Sequence, residues 1–208
     1  MLVVGLGNPG KRYAGTPHNV GFRVLDTFAE HAVPTRPLAE PAAPASWSPR
    51  FDGAVMVTSV DDHELVLLKP LTYMNRSGEC VRKAMSFFEI SEQSTLVVHD
   101  ELDLPLGALK LKRGGGEAGH NGLKSISAEI GTREYSRLRV GVGRPATGDV
   151  ADFLLQPLPE ADAVKLEGCF GAARDAIELW ARQGMDKAMN WVNRQVIGVP
   201  NPEAGSTN

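Results

Sequence analysis

Two glycine-rich clusters, far apart in the chain, each set an imidazole beside a carboxamide. The first is Gly5-Leu6-Gly7-Asn8-Pro9-Gly10, followed by His18-Asn19. The second is Gly114-Gly115-Gly116-Glu117-Ala118-Gly119-His120-Asn121-Gly122. A neutral imidazole accepts a proton near pH 7, and carboxamides donate uncharged hydrogen bonds to a carbonyl or a developing oxyanion. Glycine turns leave room beside them for a bulky ligand. The clusters therefore offer a general base and neutral donors at a roomy site.

His18 falls in the first turn of a predicted helix, where the helix dipole disfavours imidazolium and keeps the ring able to take a proton. Asp100 ends a predicted strand, the place where open α/β sheets put ligands. A carboxylate there fixes the His18 tautomer and stabilises the cation formed on proton capture. Glu101 and Asp103 compete for that role, and a helix cap or a salt bridge is the plain alternative for Asp100. Asn8, Asn75 and Asn121 lie in predicted loops, either as turn formers or as amide donors converging on one cleft. Tyr73 and Met74 flank Asn75 as core packing or as an apolar substrate wall. His120 suits a positioning role or a nucleic-acid contact. His31 and His63 read as surface residues, and His99 as pointing to the other side of its strand from Asp100.

Other chemistries find less support. The first cluster matches G-x-G-x-x-G, but Gly15-Thr16-Pro17 delays the helix that a dinucleotide needs. No acidic residue ends a second strand at the required distance; Asp26 and Glu30 fall within the predicted helix. There is no G-x-S-x-G, H-x-x-x-H or C-x-x-C spacing. A metal site would require His18, Asp100 and His120 to converge. The expectation is no metal and no cofactor.

These residues need elements to hold them. Leu2–Val4 is a short apolar strand, and a helix of about 15 residues is expected from Pro17, with Thr16 as N-cap. Ala54–Thr58 and Glu64–Lys69 form a hairpin through Asp61-Asp62, and Pro70 stops its second strand. A turn over residues 72–78 precedes a helix to about Phe88. Thr95–His99 reads as a buried central strand, and Ala108–Lys112 as a strand with one wet face. A helix runs from near Gly119 to Ile130, and Leu138–Val142 is another strand. Beyond Pro159 the pattern is helical, with Val164, Leu166, Phe170, Ala173, Ile177 and Trp180 as an apolar stripe and Met185–Val192 closing the fold. Pro34–Pro49 is expected as an irregular surface excursion. Strands interleaved with helices predict an α/β fold: a single-domain three-layer sandwich over residues 1–193, with a mixed, partly parallel central sheet and helices on both faces. Residues 194–208 are expected as a flexible tail.

The 208 residues carry a formal net charge of -3 and two cysteines, Cys80 and Cys169, in apolar segments. Reduced, buried thiols and the lack of a spanning apolar run predict a cytoplasmic protein that does not engage membranes. Charge is uneven. Between Pro105 and Pro145 stand Lys110, Lys112, Arg113, Lys124, Arg133, Arg137, Arg139 and Arg144, against only Glu117, Glu129 and Glu134. Such a patch is either a solvated face or a phosphate-contacting surface.

Five blocks, in order, resemble the bacterial-type peptidyl-tRNA hydrolases: GLGNPG…Y…HNVGF, LLKPLTYMNRSG, HDELDLPLG, GGGEAGHNGLKSI and RLRVGVGRP. Together they cover most of the chain from Met1 to about Phe153. The resemblance implies hydrolysis of the ester between a peptide's terminal carboxyl and the 3′ ribose of tRNA, which returns tRNA to translation. It implies His18 as the base activating water, Asp100 as its orienting partner, and Asn8 as the residue that separates N-blocked from free aminoacyl-tRNA. Tyr13, Tyr73, Asn75 and Asn121 match substrate-binding positions, with Met74 packing nearby and His120 supporting the cleft. Lys110, Lys112, Lys124 and Arg139 match tRNA-backbone contacts. The family implies a monomer without cofactor; a noncatalytic RNA-binding relative of the same fold is the alternative. Three departures stand out: Pro17 where arginine is common, Ala118 where glycine is frequent, and the proline-rich 34–49 stretch.

Overall fold

The computed structural model describes residues 1–33, 35, 47–145 and 147–194. Strand β1 (Leu2–Gly5) is buried throughout and lies parallel between β4 (His63–Pro70) and β5 (Thr95–Glu101). All seven residues of β5 are buried. Near-continuous burial is what a parallel strand covered on both faces requires, and it explains why β1 and β5 read as unbroken apolar runs. β7 (Ser136–Gly141) extends the parallel set beyond β5. Antiparallel strands finish both edges: β3 (Gly53–Val60) and β2 (Ser48–Arg50) outside β4, and β6 (Leu109–Arg113) outside β7. The sheet order is β2-β3-β4-β1-β5-β7-β6.

Two apolar clusters show the layers. On one face α1 (Val20–His31), α6 (Phe170–Gln183) and α7 (Met185–Val192) bury Val24, Phe28, Ile177, Trp180 and Val192 against Leu67, Leu96 and Leu138. On the other, α2 (Ser77–Phe88) and α3 (Asn121–Ile130) bury Val81, Ala84, Leu123 and Ile126 against Leu2, Val4 and Val97. This is the expected three-layer sandwich. The connection after β1 crosses one face and that between β5 and β7 crosses the other, so the cleft between the carboxyl ends of β1 and β5 is a topological switch point.

The first glycines serve packing. A Cβ on Gly5 would strike the carbonyl of Gly21, and one on Gly21 would strike the backbone of Leu6 and Val98. Helix α1 thus lies against the end of β1 at backbone distance, which holds the segment before it over the cleft.

Several expectations change. Thr16 does not cap α1: its Oγ1–H donates to Tyr13 O at 2.8 Å, and Pro17–Asn19 form a 3-10 turn ahead of Val20. Pro70 ends β4 as expected, as its last residue, whereas Pro49 sits in the three-residue edge strand β2, where proline is tolerated. Most of the 34–49 excursion, and the tail after Arg194, fall outside the described residues. Val164 is exposed on α5 (Glu160–Glu167), because the chain re-registers at Gly168-Cys169 before α6. A helix with no counterpart in the sequence reading, α4 (Val150–Leu155), is capped by Asp149, whose carboxylate accepts from Ala151 N–H at 2.7 Å.

Gly21→Ala should destabilise the protein by about 2 kcal/mol, within the range for overpacking a filled interior. A denaturation midpoint equal to that of the unaltered protein would contradict the close approach of α1 and β1.

Candidate active site

Four chain segments meet at the carboxyl ends of β1 and β5. The turn after β1 supplies Asn8, the 3-10 turn before α1 supplies His18, the end of β5 supplies Asp100, and the start of α3 supplies His120 and Asn121. With Tyr13, Tyr73, Met74 and Asn75 they line a cleft of about 890 Å³.

Asp100 is the centre. Its Oδ1 lies 2.8 Å from His18 Nδ1 and 2.9 Å from His120 Nε2. A carboxylate oxygen only accepts, so both nitrogens carry protons. His120 has its own reason for that tautomer: its Nδ1 caps α3, accepting from Gly122 N–H at 3.1 Å and Leu123 N–H at 3.4 Å. The proton must then sit on Nε2. For His18, holding the proton on Nδ1 leaves Nε2 as the free acceptor, as a general base requires.

The electrostatics follow from burial and this sharing. Burial, the largest influence on His18, lowers its pKa, but the charge of Asp100 and its hydrogen bond together prevail and raise it above the ordinary 6.5. The helix-dipole expectation is therefore corrected: the carboxylate sets the ring's affinity, and His18 sits in a 3-10 turn outside the α-helix. Burial, again largest, works to raise Asp100, yet the two imidazoles hold it well below the ordinary carboxylate value. The competing carboxylates are engaged elsewhere. Glu101 Oε2 accepts from Arg139 at 2.8 Å, and Asp103 accepts from Arg144 at 2.7 Å.

Asn8 is clamped. Its Oδ1 accepts from Met74 N–H at 2.9 Å, and its backbone exchanges two bonds with the Asn19 side chain, each 2.9 Å. With Oδ1 engaged, the amide N–H end is left for a ligand. Asn75 and Asn121 are exposed on the cleft wall, Tyr73 stands at the rim, and Met74 is buried against Leu6 and Leu123. Pro17 is buried at the start of its turn, so this position presents no cation. Ala118 adopts φ 47, a left-handed conformation that disfavours a residue with a Cβ.

His99 departs from expectation. Instead of pointing away, its ring lines the same cleft and stands 5.2 Å from that of His120, at 80°. Its Nδ1–H bonds to Asp100 O at 2.7 Å and folds the ring forward along the strand, which simple alternation does not foresee. Arg137 also departs from its place in the basic patch. It is 2 % exposed and donates to Gly115 O and Gly116 O, each at 2.6 Å, bracing the second glycine loop. Sequence reasoning named Asn19 beside His18 without assigning it the clamp on Asn8, and it missed the α4 wall of Val150, Leu154 and Leu155, which has too short a pattern to register.

His18, Asp100 and His120 also bring ligand atoms within 4.8 Å of one another, the convergence a metal would need. Their facing atoms are already joined by the two hydrogen bonds to Oδ1, so a cation would have to displace both protons.

The model of the peptidyl-tRNA hydrolase family matches residues 2–199. The chain belongs to that family. A peptidyl-tRNA hydrolase of Desulfitobacterium hafniense (strain Y51) is 41% identical over 194 residues, covering 93% of this chain and 99% of the relative. One of Sorangium cellulosum (strain So ce56) is 43% identical over 193 residues, covering 91% and 82%. A crystal structure of peptidyl-tRNA hydrolase from Acinetobacter baumannii is similar with a TM-score of 0.80 and 35% identity, covering 93% of this chain and 94% of that one. The likeness extends over the whole fold, which bears out the resemblance read from the five blocks.

Asp100→Asn removes the charge that raises His18 and replaces the carboxylate acceptor by a weaker amide, so that burial prevails. The acid limb of kcat/KM, which reports a base that must be neutral, should move from above 6.5 to below it. kcat should fall about 10³- to 10⁴-fold, as when an amide replaces the orienting carboxylate of a triad. A variant with an unshifted limb and near-normal kcat would reject Asp100 as the partner of His18.

Proposed function

We propose that this chain hydrolyses the ester between the terminal carboxyl of a peptide and the 3′ ribose of tRNA, releasing tRNA for reuse. The observation that carries the reading is Asp100 Oδ1 taking N–H groups from two imidazoles, which leaves His18 Nε2 as a lone pair facing a cleft lined with carboxamides. In the proposed reaction Nε2 takes a proton from water as the oxygen attacks the ester carbonyl, and Asp100 stabilises the resulting imidazolium. Asn75 and Asn121 are the candidate donors to the oxyanion, and Asn8 recognises the blocked amine of the peptide through its free amide end. The ribose oxygen leaves with a proton returned from His18. His120 orients Asp100; Tyr13, Tyr73 and Met74 shape the walls. The reaction uses no metal and no cofactor.

The RNA would lie to one side of this cleft. Lys110 and Lys112 are exposed on edge strand β6, and Lys110 is in register with Arg139 on β7. Leu109 and Leu111 face the α1 side, so the lysines point to the α3 side, where Lys124 is exposed. These three lysines form no ion pair with a described residue, whereas Arg113, Arg133, Arg139 and Arg144 each have a carboxylate partner. The lysines are therefore the available phosphate contacts, with Arg139 contributing if it exchanges Glu101 for phosphate. A noncatalytic RNA-binding module needs such a face but not a buried, tautomer-locked His–Asp pair. Among the described residues no helix is long and apolar enough to cross a membrane. The reading takes the protein as a cytoplasmic monomer.

His18→Ala should abolish release of N-acetylated amino acid from charged tRNA while sparing tRNA affinity, and the unaltered protein should leave the unblocked ester intact. Comparable turnover by the variant would reject His18 as the base. Lys110→Ala and Lys124→Ala should each weaken binding alike across tRNA species and reduce the slope of log affinity against log salt by about 1. Unchanged slopes would put the RNA on another face.

A further inference from the structure

We propose that His99 is a positioning residue for the reaction: it anchors the Asp100 peptide and the His120 ring together, and thereby fixes the carboxylate oxygen on which the base depends. This rests on the reading of His18 as the base.

Asp100 lies just past the last pairing of the parallel β1–β5 ladder, Gly5 with Val98. In such a ladder alternate residues of a strand turn both backbone groups toward the same neighbour. Val98 O accepts from Leu6 N–H at 2.9 Å, so Val98 and Asp100 face β1. Glu101 O accepts from Val142 N–H at 3.1 Å, so the alternate residues face β7. Were the ladder to continue, Asp100 O would accept from Asn8 N–H. That donor instead goes to Asn19 Oδ1 at 2.9 Å, because β1 peels away to open the cleft. A buried carbonyl without a donor is unfavourable. His99 supplies the donor from its own Nδ1–H, 2.7 Å from Asp100 O.

The same ring stands edge-on to His120, with centroids 5.2 Å apart, an arrangement favoured between aromatic rings. His99 therefore touches both the backbone and one imidazole partner of the shared carboxylate. It is 3 % exposed, and its Nε2 has no hydrogen-bond partner. A phenylalanine would fill the space without that unpaired acceptor, so what the imidazole adds is the Nδ1–H donor. The groups facing it are Asp100 on its own strand, His120 from the start of α3 and Arg137 from β7. Burial, then the neighbouring His120 ring, with Arg137 adding, outweigh Asp100 and push the His99 pKa down to about 3. The ring stays neutral at working pH and does not compete with His18 for the charge of Asp100.

The test compares His99→Phe, which keeps a ring without the donor, with His99→Asn, whose amide N–H returns a donor near the Nδ1 position. In the Phe variant kcat should fall about tenfold or more, the scale for losing a group that orients a reacting one, with KM changed less than about twofold. Its acid limb of kcat/KM should move to lower pH as Asp100 loosens its hold on His18. The Asn variant should recover most of the rate and restore the limb. A folded Phe variant with normal kcat and an unmoved limb, or an Asn variant no better than Phe, would overturn the proposal. Should the Phe variant not fold, ¹⁵N signals of the unaltered protein decide. Protonation of His99 on Nδ1 across roughly pH 5–8 is expected; protonation on Nε2, or titration in that range, would overturn it. Turnover persisting in His18→Ala would instead overturn the reading beneath.

Discussion

One oxygen atom organises the site. Asp100 Oδ1 accepts from His18 and His120, and these bonds join a turn before α1, the end of β5 and the start of α3 at a single point. The arrangement depends on where β1 stops pairing with β5. By turning away after Leu6, β1 leaves space for ligand and releases Asn8 to be held by Asn19 and Met74. The glycine contacts between β1 and α1 make the turn compact enough to bring His18 over the strand end. Opening the cleft and assembling its candidate base are thus consequences of one departure from regular pairing.

The same atom sets a tension between stability and chemistry. The folded-state pKa of Asp100 is depressed, so its contribution to stability is present above the ordinary carboxylate range and lost as pH falls through the folded value. The folded-state pKa of His18 is raised, so its contribution is full below 6.5 and is lost as pH rises through the raised value. The proposed catalysis needs His18 neutral, on the high-pH side of that value. The proposed base therefore acts where the ion pair has relaxed to a hydrogen bond between a neutral imidazole and the still-ionised carboxylate. His120, fixed by capping α3, keeps Asp100 oriented in that state.

Much of this was legible in the sequence, because burial on both faces writes itself as unbroken apolar strands and helix faces as periodic stripes. Asp100 was legible as a strand-end carboxylate, and His18 as an imidazole beside a glycine turn. What was not legible depends on cross-strand geometry. Glu101 pairs with Arg139 because β5 and β7 lie side by side, which no local pattern encodes. Arg137 counted as a surface cation by composition, yet it is buried and holds loop carbonyls. The forward fold of His99 follows from a carbonyl orphaned by a distant strand. Helix α4 is six residues long, too short for periodicity to register.

Neutron diffraction from deuterium-exchanged crystals tests the central claim most directly, because it locates the protons on which the tautomers rest. At a pH above the His18 transition the account predicts deuterium on His18 Nδ1 and His120 Nε2, both directed at Asp100 Oδ1, with none on His18 Nε2. Deuterium on His18 Nε2 with Nδ1 bare, or on Asp100 itself, would contradict it.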